Sequence, residues 1–165
     1  MRYLTISLIF FLCLSLHAQD IKVMTYNIRY DNPGDGPNEW SKRKHKVFDL
    51  IKKYDPDIIG VQEALHHQLL DIENQLAAYD FFGAGRDDGK QKGEHSAIFI
   101  KKDRFDVLDE NTFWLSQTPN VPGSKHWDAA ITRVVTWGKL HDKKSDKSFV
   151  MINTHFDHIG KESRK

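Results

Sequence analysis

The spacing of apolar side chains changes character twice along the chain. From Ile21 to Ile28, one set of positions (Ile21, Val23, Thr25, Asn27) alternates with another (Lys22, Met24, Tyr26, Ile28), which is the period of a β-strand. A loop rich in Gly, Pro and Asn, residues 31–37, leads to Trp40, Val47, Leu50, Ile51 and Tyr54, a stripe that predicts one face of an amphipathic helix. Asn38 is its expected cap, and Asp55-Pro56 its stop, because the residue before a proline is pushed out of the α region. The run Asp57 to Glu63 is short and mostly apolar on both faces, as expected for a strand covered on both sides and reached by a helical crossover. Leu65, Leu69, Ile72 and Leu76 then mark a second helix that ends before Tyr79.

Beyond Tyr79 the apolar runs are short and β-like: 81–84, 97–100, 105–108, 131–140 and 149–155, separated by turn-forming stretches. The last two, joined by the polar residues 141–147, read as an antiparallel hairpin. A β-α-β opening followed by strands predicts a layered α/β protein with a mixed sheet.

Several of these runs begin or end on side chains able to bind a ligand. Asn27, Glu63 and His155 each close an apolar strand, Glu94 precedes one, and Arg133 opens another. In an antiparallel pair the start of one strand lies beside the end of its neighbour, so all five can share one rim. A carboxylate beside an amide oxygen suits Mg²⁺, which keeps several waters and is completed by substrate phosphate. Arginine offers a planar fork for phosphate oxygens, and histidine can donate to a developing oxyanion or carry a proton. Taken singly, each residue has a plain alternative: an Asx turn for Asn27, a helix start for Glu63, a core imidazole for His155 and any carboxylate partner for Arg133. The coincidence of strand ends is what points to metal-assisted phosphoester hydrolysis.

Three other features carry less. Residues 83–89 have the glycines of a phosphate loop without its spacing, and read as a mobile turn. His66 and His67 are adjacent on a helix, diverge by roughly 100° and cannot share a metal; a solvated pair is expected. His155 and Asp157, two apart on a strand, are a minor zinc option with His158 facing away, although Asp157 and His158 fit better as residues that shape the pocket.

Composition narrows the class. The 165 residues carry 24 Lys+Arg against 23 Asp+Glu, and 28% charged with 12% aromatic residues describes a globular chain. Residues 1–18 read as a cleaved export signal: Arg2, an apolar run from Leu4 to Leu16, and Leu16-His17-Ala18 before the cut. That run is shorter than the ~20 residues a membrane span needs. The only cysteine, Cys13, lies within it, so residues 19–165 have neither disulfide nor thiolate chemistry, and a periplasmic or secreted destination is expected. Arg2 is the only charge removed with the signal, which leaves a balanced chain and weighs against a generic polyanion binder. The run Lys42-Arg43-Lys44-His45-Lys46 reads as a solvated helix face.

Five segments in order, Thr25 to Arg29, Pro56 to Glu63, Gly93 to Phe99, Arg133 to Trp137 and Asn153 to His155, resemble the endonuclease/exonuclease/phosphatase superfamily. Residues 113–116, 125–130 and 153–158 resemble its exported branch in Bacteroidetes-type bacteria. The resemblance implies a four-layer α/β-sandwich of two mixed sheets flanked by helices, spanning residues 19–165 as the N-terminal portion of the domain. It also implies a rim site for a divalent cation, usually Mg²⁺, with Mn²⁺ or Ca²⁺ as substitutes. By the same resemblance Asn27 and Glu63 match the metal-site pair, Glu94 a second acidic position, and Arg133 a phosphate-contacting arginine. His155 matches the histidine at the scissile phosphate.

After His155-Phe156-Asp157-His158 this sequence shows neither the superfamily's later Gly-Asp-x-Asn segment, whose aspartate activates water, nor the further Asp-His pair that follows it. The expectation is an incomplete domain with little turnover of its own. The substrate is expected to be a phosphoester, whether small molecule, lipid headgroup or nucleic acid, with the balanced charge favouring the first two. The protein is expected to be a monomer with no stable protein partner. The segment 111–130, with Phe113, Trp114 and Trp127, could stack a sugar or base, or pack as a lid. The competing reading is a noncatalytic exported binding module, or a fragment with no function of its own.

Overall fold

The computed structural model describes residues 20–165; the expected signal segment lies outside the described residues. Nine regular elements follow in order: β1 (Val23–Asn27), α1 (Trp40–Tyr54), β2 (Ile58–Gln62), α2 (His66–Gln75), β3 (Tyr79–Phe82), β4 (Ile98–Lys101), β5 (Phe105–Trp114), β6 (Val134–Asp142) and β7 (Lys147–Thr154). Short 3₁₀ turns occupy Pro33–Asn38 and Glu162–Arg164. None of the described helices is long and apolar enough to cross a membrane.

The strands form two sheets. In the first, ordered β1-β2-β4-β3, β1 and β2 run parallel, as the helical crossover demands, and β4 is antiparallel to both β2 and β3. In the second, β5-β6-β7 is antiparallel throughout, so only the first sheet is mixed. Strand alternation sorts the core. One face of the first sheet, with Ile59, Val61 and Phe99, packs on Val47, Phe48 and Ile51 of α1 and on Leu69 and Ile72 of α2. The opposite face, with Ile58, Ile98 and Ile100, packs on Phe105 and Leu140 of the second sheet. Helices, sheet and sheet thus stack as three of the expected four layers; among the described residues both α-helices pack on the first sheet.

Local outcomes differ from expectation at three points. The cap of α1 is Glu39, with no side-chain hydrogen bond, while Asn38 ends the preceding 3₁₀ turn. Phe48, edge-to-face on Trp40 at 6.1 Å, fills the inner face, whereas Tyr54 is exposed and Leu50 only half-buried. At 100° per residue Phe48 and Leu50 flank the stripe on opposite sides, and the tertiary neighbour decides which is buried. Strand β5 continues to Trp114 through Asp109, Glu110 and Asn111, with a bulge near Val107. Such residues are poor strand formers, but β5 is an edge strand and pairing with β6 supplies its backbone partners.

Asn153 of β7 joins the sheets at the rim end. It is buried; its Nδ2 donates to the carbonyls of Val61 and Ala97 at 2.9 Å each, and its Oδ1 accepts from Gln62 Nε2 at 2.7 Å. Gly60 makes room for it, since a Cβ there would lie 2.9 Å from Asn153 Cγ.

Candidate active site

Topology brings one set of strand ends together. The C-terminal ends of β1 and β2 lie side by side because these strands are parallel, and residues 94–97 lie against the end of β2 because β4 runs the other way. In the second sheet the start of β6 adjoins the end of β7. Asn153 fastens that end of β7 to β2 and to Ala97 just before β4.

Glu63 follows β2 in a left-handed conformation, φ 61°, which non-glycine residues seldom adopt. Its Oε1 accepts a 2.8 Å hydrogen bond from Asn27 Nδ2. Asn27 Oδ1 also accepts the Arg29 N–H at 2.9 Å, so the Asx turn and the carboxylate contact coexist. Arg43 holds the exit of β1 from behind, donating to the carbonyls of Ile28, Arg29 and Asn38. With Lys42 on Glu39 and Lys44 on Asp71, the first three residues of the basic run on α1 are committed to the protein's own groups, while His45 and Lys46 are exposed.

Glu63, Glu94, Arg133 and His155 line one small cleft, joined by Arg86, His95, Ser96 and Thr132. Four of the five expected residues therefore meet there, and Asn27 reaches it through Glu63. Burial pushes the Glu94 carboxyl above its usual range, against the nearby Arg86 guanidinium, which pulls it down, and with the Glu63 charge, which adds to the rise. Burial, then the Arg133 charge, lowers the pKa of His155, so its imidazole is neutral at pH 7. The buried Nδ1 of His155 has no hydrogen-bond partner.

Arg133 is 5% exposed, and its pKa is lowered first by burial and then by the neighbouring Arg86. Asp157 and His158 position it: Nε lies 3.7 Å from Asp157 Oδ2, and Nη2 donates to His158 Nδ1 at 3.3 Å. Asp157 is otherwise committed. Its two oxygens accept the backbone N–H groups of Ala130, Ile131, Ile159 and Gly160. Burial alone would raise its pKa, but these donors hold the carboxylate well below the ordinary range. The zinc option for His155 and Asp157 fails on this ground. It also fails because β7 ends at Thr154, so strand alternation no longer governs Asp157 and His158 and both reach Arg133.

His95 and Arg86 join the cleft without any sign in the sequence pattern. His95 is buried, hydrogen-bonds the Ala64 carbonyl through Nδ1 and stacks on His66 at 5.8 Å, which brings one of the expected solvated pair inward. Trp114 packs inward and donates its indole N–H to the Arg86 carbonyl, leaving Trp127 as the exposed aromatic of that segment.

The residue set fits a hard divalent cation. Glu63 Oε2 has no protein partner among the described residues, and the Asn27 amide oxygen, which accepts the Arg29 N–H, retains one acceptor site. Among the described residues no three His, Cys, Asp or Glu side chains cluster as a ready cage. One carboxylate completed by water and substrate phosphate is the usual Mg²⁺ arrangement.

The pattern that defines the Endonuclease/Exonuclease/phosphatase family matches residues 24–142. The chain belongs to that family. An endonuclease/exonuclease/phosphatase structure from Bacteroides vulgatus is similar at 48% identity and TM-score 0.87, covering 89% of this chain and 56% of its own. The mannosyl-6-phosphatase of Bacteroides thetaiotaomicron is similar at 44% identity and TM-score 0.84, covering 88% of this chain and 55% of its own. A more distant relative, the CCR4-Not complex 3'-5'-exoribonuclease subunit Ccr4 of Emericella nidulans, is 24% identical over 163 residues, covering 82% of this chain and 24% of its own. The chain spans about half the length of the two Bacteroides structures.

Proposed function

We propose that this chain carries the metal-holding and phosphate-binding side of a phosphoester hydrolase in which water attacks phosphorus. The observation that supports it is the meeting of Glu63, Glu94, Arg133 and His155, from separate strand ends, in one cleft with Asn27 bonded to Glu63. Glu63 and Asn27 would hold Mg²⁺, or Mn²⁺ or Ca²⁺ in its place, and the bound cation would neutralise charge on the phosphoryl oxygens. The Arg133 fork would fix those oxygens, and neutral His155 would donate a hydrogen bond to the oxygen on which charge develops.

The names of the relatives, a mannosyl-6-phosphatase and an exoribonuclease, bracket the substrates. Balanced charge favours a small or lipid phosphoester over bulk nucleic acid. This sequence contains no Gly-Asp-x-Asn segment to activate water. The polypeptide alone should therefore bind metal and phosphate yet turn over slowly, by about 10²–10⁴ relative to a complete site. Export, supported by the pattern of residues 1–18, and a monomeric state belong to the same reading.

Residues 19–165 can be melted with and without Mg²⁺. The wild type should gain stability from the metal, and Glu63→Gln should not. An absent shift, or one that survives Glu63→Gln, favours the noncatalytic module instead. Robust Mg²⁺-dependent hydrolysis of bis-p-nitrophenyl phosphate, lost in Glu63→Ala, would refute the expectation of slow turnover.

A further inference from the structure

The turn between β3 and β4, expected to be mobile, is tied on every side and holds a guanidinium in the cleft. Gly85 N–H donates to the Lys90 carbonyl, Asp87 N–H to Lys92, and Arg86 N–H to Glu94, while Asp88 Oδ1 accepts from the N–H groups of Lys90 and Lys92. The Arg86 carbonyl accepts the indole N–H of buried Trp114 at 2.6 Å, which anchors the turn to the second sheet. Glycine is required where the turn closes: a Cβ on Gly85 would lie 2.2 Å from the Lys92 oxygen, and one on Gly93, at φ 80°, 2.5 Å from the Asp87 carboxylate carbon. A solvent loop needs none of these constraints; a loop that must place one side chain does.

That side chain is Arg86. It is 17% exposed, lines the cleft, and gives one hydrogen bond from Nη1 to Glu94 Oε2 at 2.8 Å. Its Nη2 has no acceptor among the described residues. Arg133 lines the same cleft; its Nε faces Asp157 and its Nη2 donates to His158, while its Nη1 has no acceptor among the described residues. Two guanidiniums lining one cleft, with Arg86 Nη2 still free to donate, describe a cradle for an anion carrying more than one charge.

We infer that Arg86 is a second phosphate-binding residue, and that with Arg133 it selects a phosphomonoester, whose terminal phosphoryl group carries two negative charges, over a singly charged phosphodiester. This rests on the phosphoester reading above. A monoester offers three non-bridging oxygens and, above its second ionisation near pH ~6, a second charge. A diester offers two oxygens and one charge, and leaves one fork without an acceptor.

The test is calorimetric titration of the protein, with Mg²⁺ present, by monomethyl phosphate and by dimethyl phosphate at pH 8. Wild type should prefer monomethyl phosphate. Arg86→Gln, which keeps a donor for Glu94 while losing the charge, should weaken monomethyl phosphate by about tenfold or more, as expected for a charge-assisted hydrogen bond, and dimethyl phosphate by much less. Arg86→Lys, which keeps the charge and loses the fork, should fall between, and it carries the comparison if Arg86→Gln fails to fold. Lowering the pH to 5 should shrink the wild-type preference. Equal losses for both ligands, or no loss for monomethyl phosphate, overturn the inference. If Arg133→Gln weakens both ligands while Arg86→Gln spares the monoester, the phosphoester reading stands and only this inference falls. If neither ligand binds wild type, both fall.

Discussion

Replacing Asn153 by alanine should loosen the joint between the sheets beneath the cleft. The side chain makes three buried hydrogen bonds: two from Nδ2, to Val61 O and Ala97 O, and one accepted from Gln62 Nε2. Ala97 O keeps the Val61 N–H, and Gln62 keeps Thr25 Oγ1 and Gly60 O, so the loss is partial. Unsatisfied buried groups and a small cavity together cost about 3 kcal/mol, a fall in Tm of roughly 6–12 °C for a chain of this size. Gly60→Ala alone should also destabilise, by about 1–3 kcal/mol, because its methyl meets Asn153 Cγ at 2.9 Å. In the double variant that methyl enters the space Asn153 vacates. The pair should therefore be less destabilised than the sum of the singles by at least about 1 kcal/mol. Urea unfolding of the four proteins measures this cycle. Additivity within about 0.5 kcal/mol, or an Asn153→Ala protein as stable as wild type, would refute the packing argument.

Three further outcomes are expected. Glu63→Gly should leave metal-free stability unchanged or raise it by up to about 1 kcal/mol, because glycine adopts φ 61° without strain, while any Mg²⁺-induced rise in Tm disappears; melting curves with and without metal show both. Glu94→Gln should gain stability at pH 7–8. A carboxyl whose folded pKa is raised loses stability as pH climbs from its unfolded value of 4.5 through its folded one, so the two proteins should converge below pH 4.5 in Tm against pH. Asp157→Asn should lose about 3 kcal/mol at pH 7 by presenting an amide N–H₂ to backbone donors. The depressed folded pKa makes that carboxylate's contribution present above 3.8 and lost as pH falls, so in urea melts the gap should close in acid.

The elements were legible where burial imposes a period. Strands β1 and β2, both helices and the β6–β7 hairpin fall where alternation, stripes and turn residues place them. The far half of β5 was not, because an exposed edge strand buries too little on either face to leave a pattern. Site residues were legible for a related reason: a polar side chain closing an apolar run stands out at Asn27, Glu63 and His155. Arg86 did not stand out, since it lies in a glycine-rich turn and only the closure of that turn by Trp114 and residues 90–94 brings it to the cleft. The role of Asn153 leaves no local trace, because its partners are 56 to 92 residues away.

The sequence by itself determined the local choices: which segments are strands or helices, that the opening crossover makes β1 and β2 parallel, and which side chains sit at strand ends. Those follow from short-range sterics and the period of burial. Tertiary structure decided what no local pattern encodes. It pressed the second sheet onto the first, set Arg133 against Asp157 and His158, and brought Arg86 into the same cleft as Arg133. It also turned Glu63 into a left-handed conformation that its own backbone preference resists. Such features depend on groups distant in sequence meeting at a few ångströms, and they become definite only when the core has closed around them.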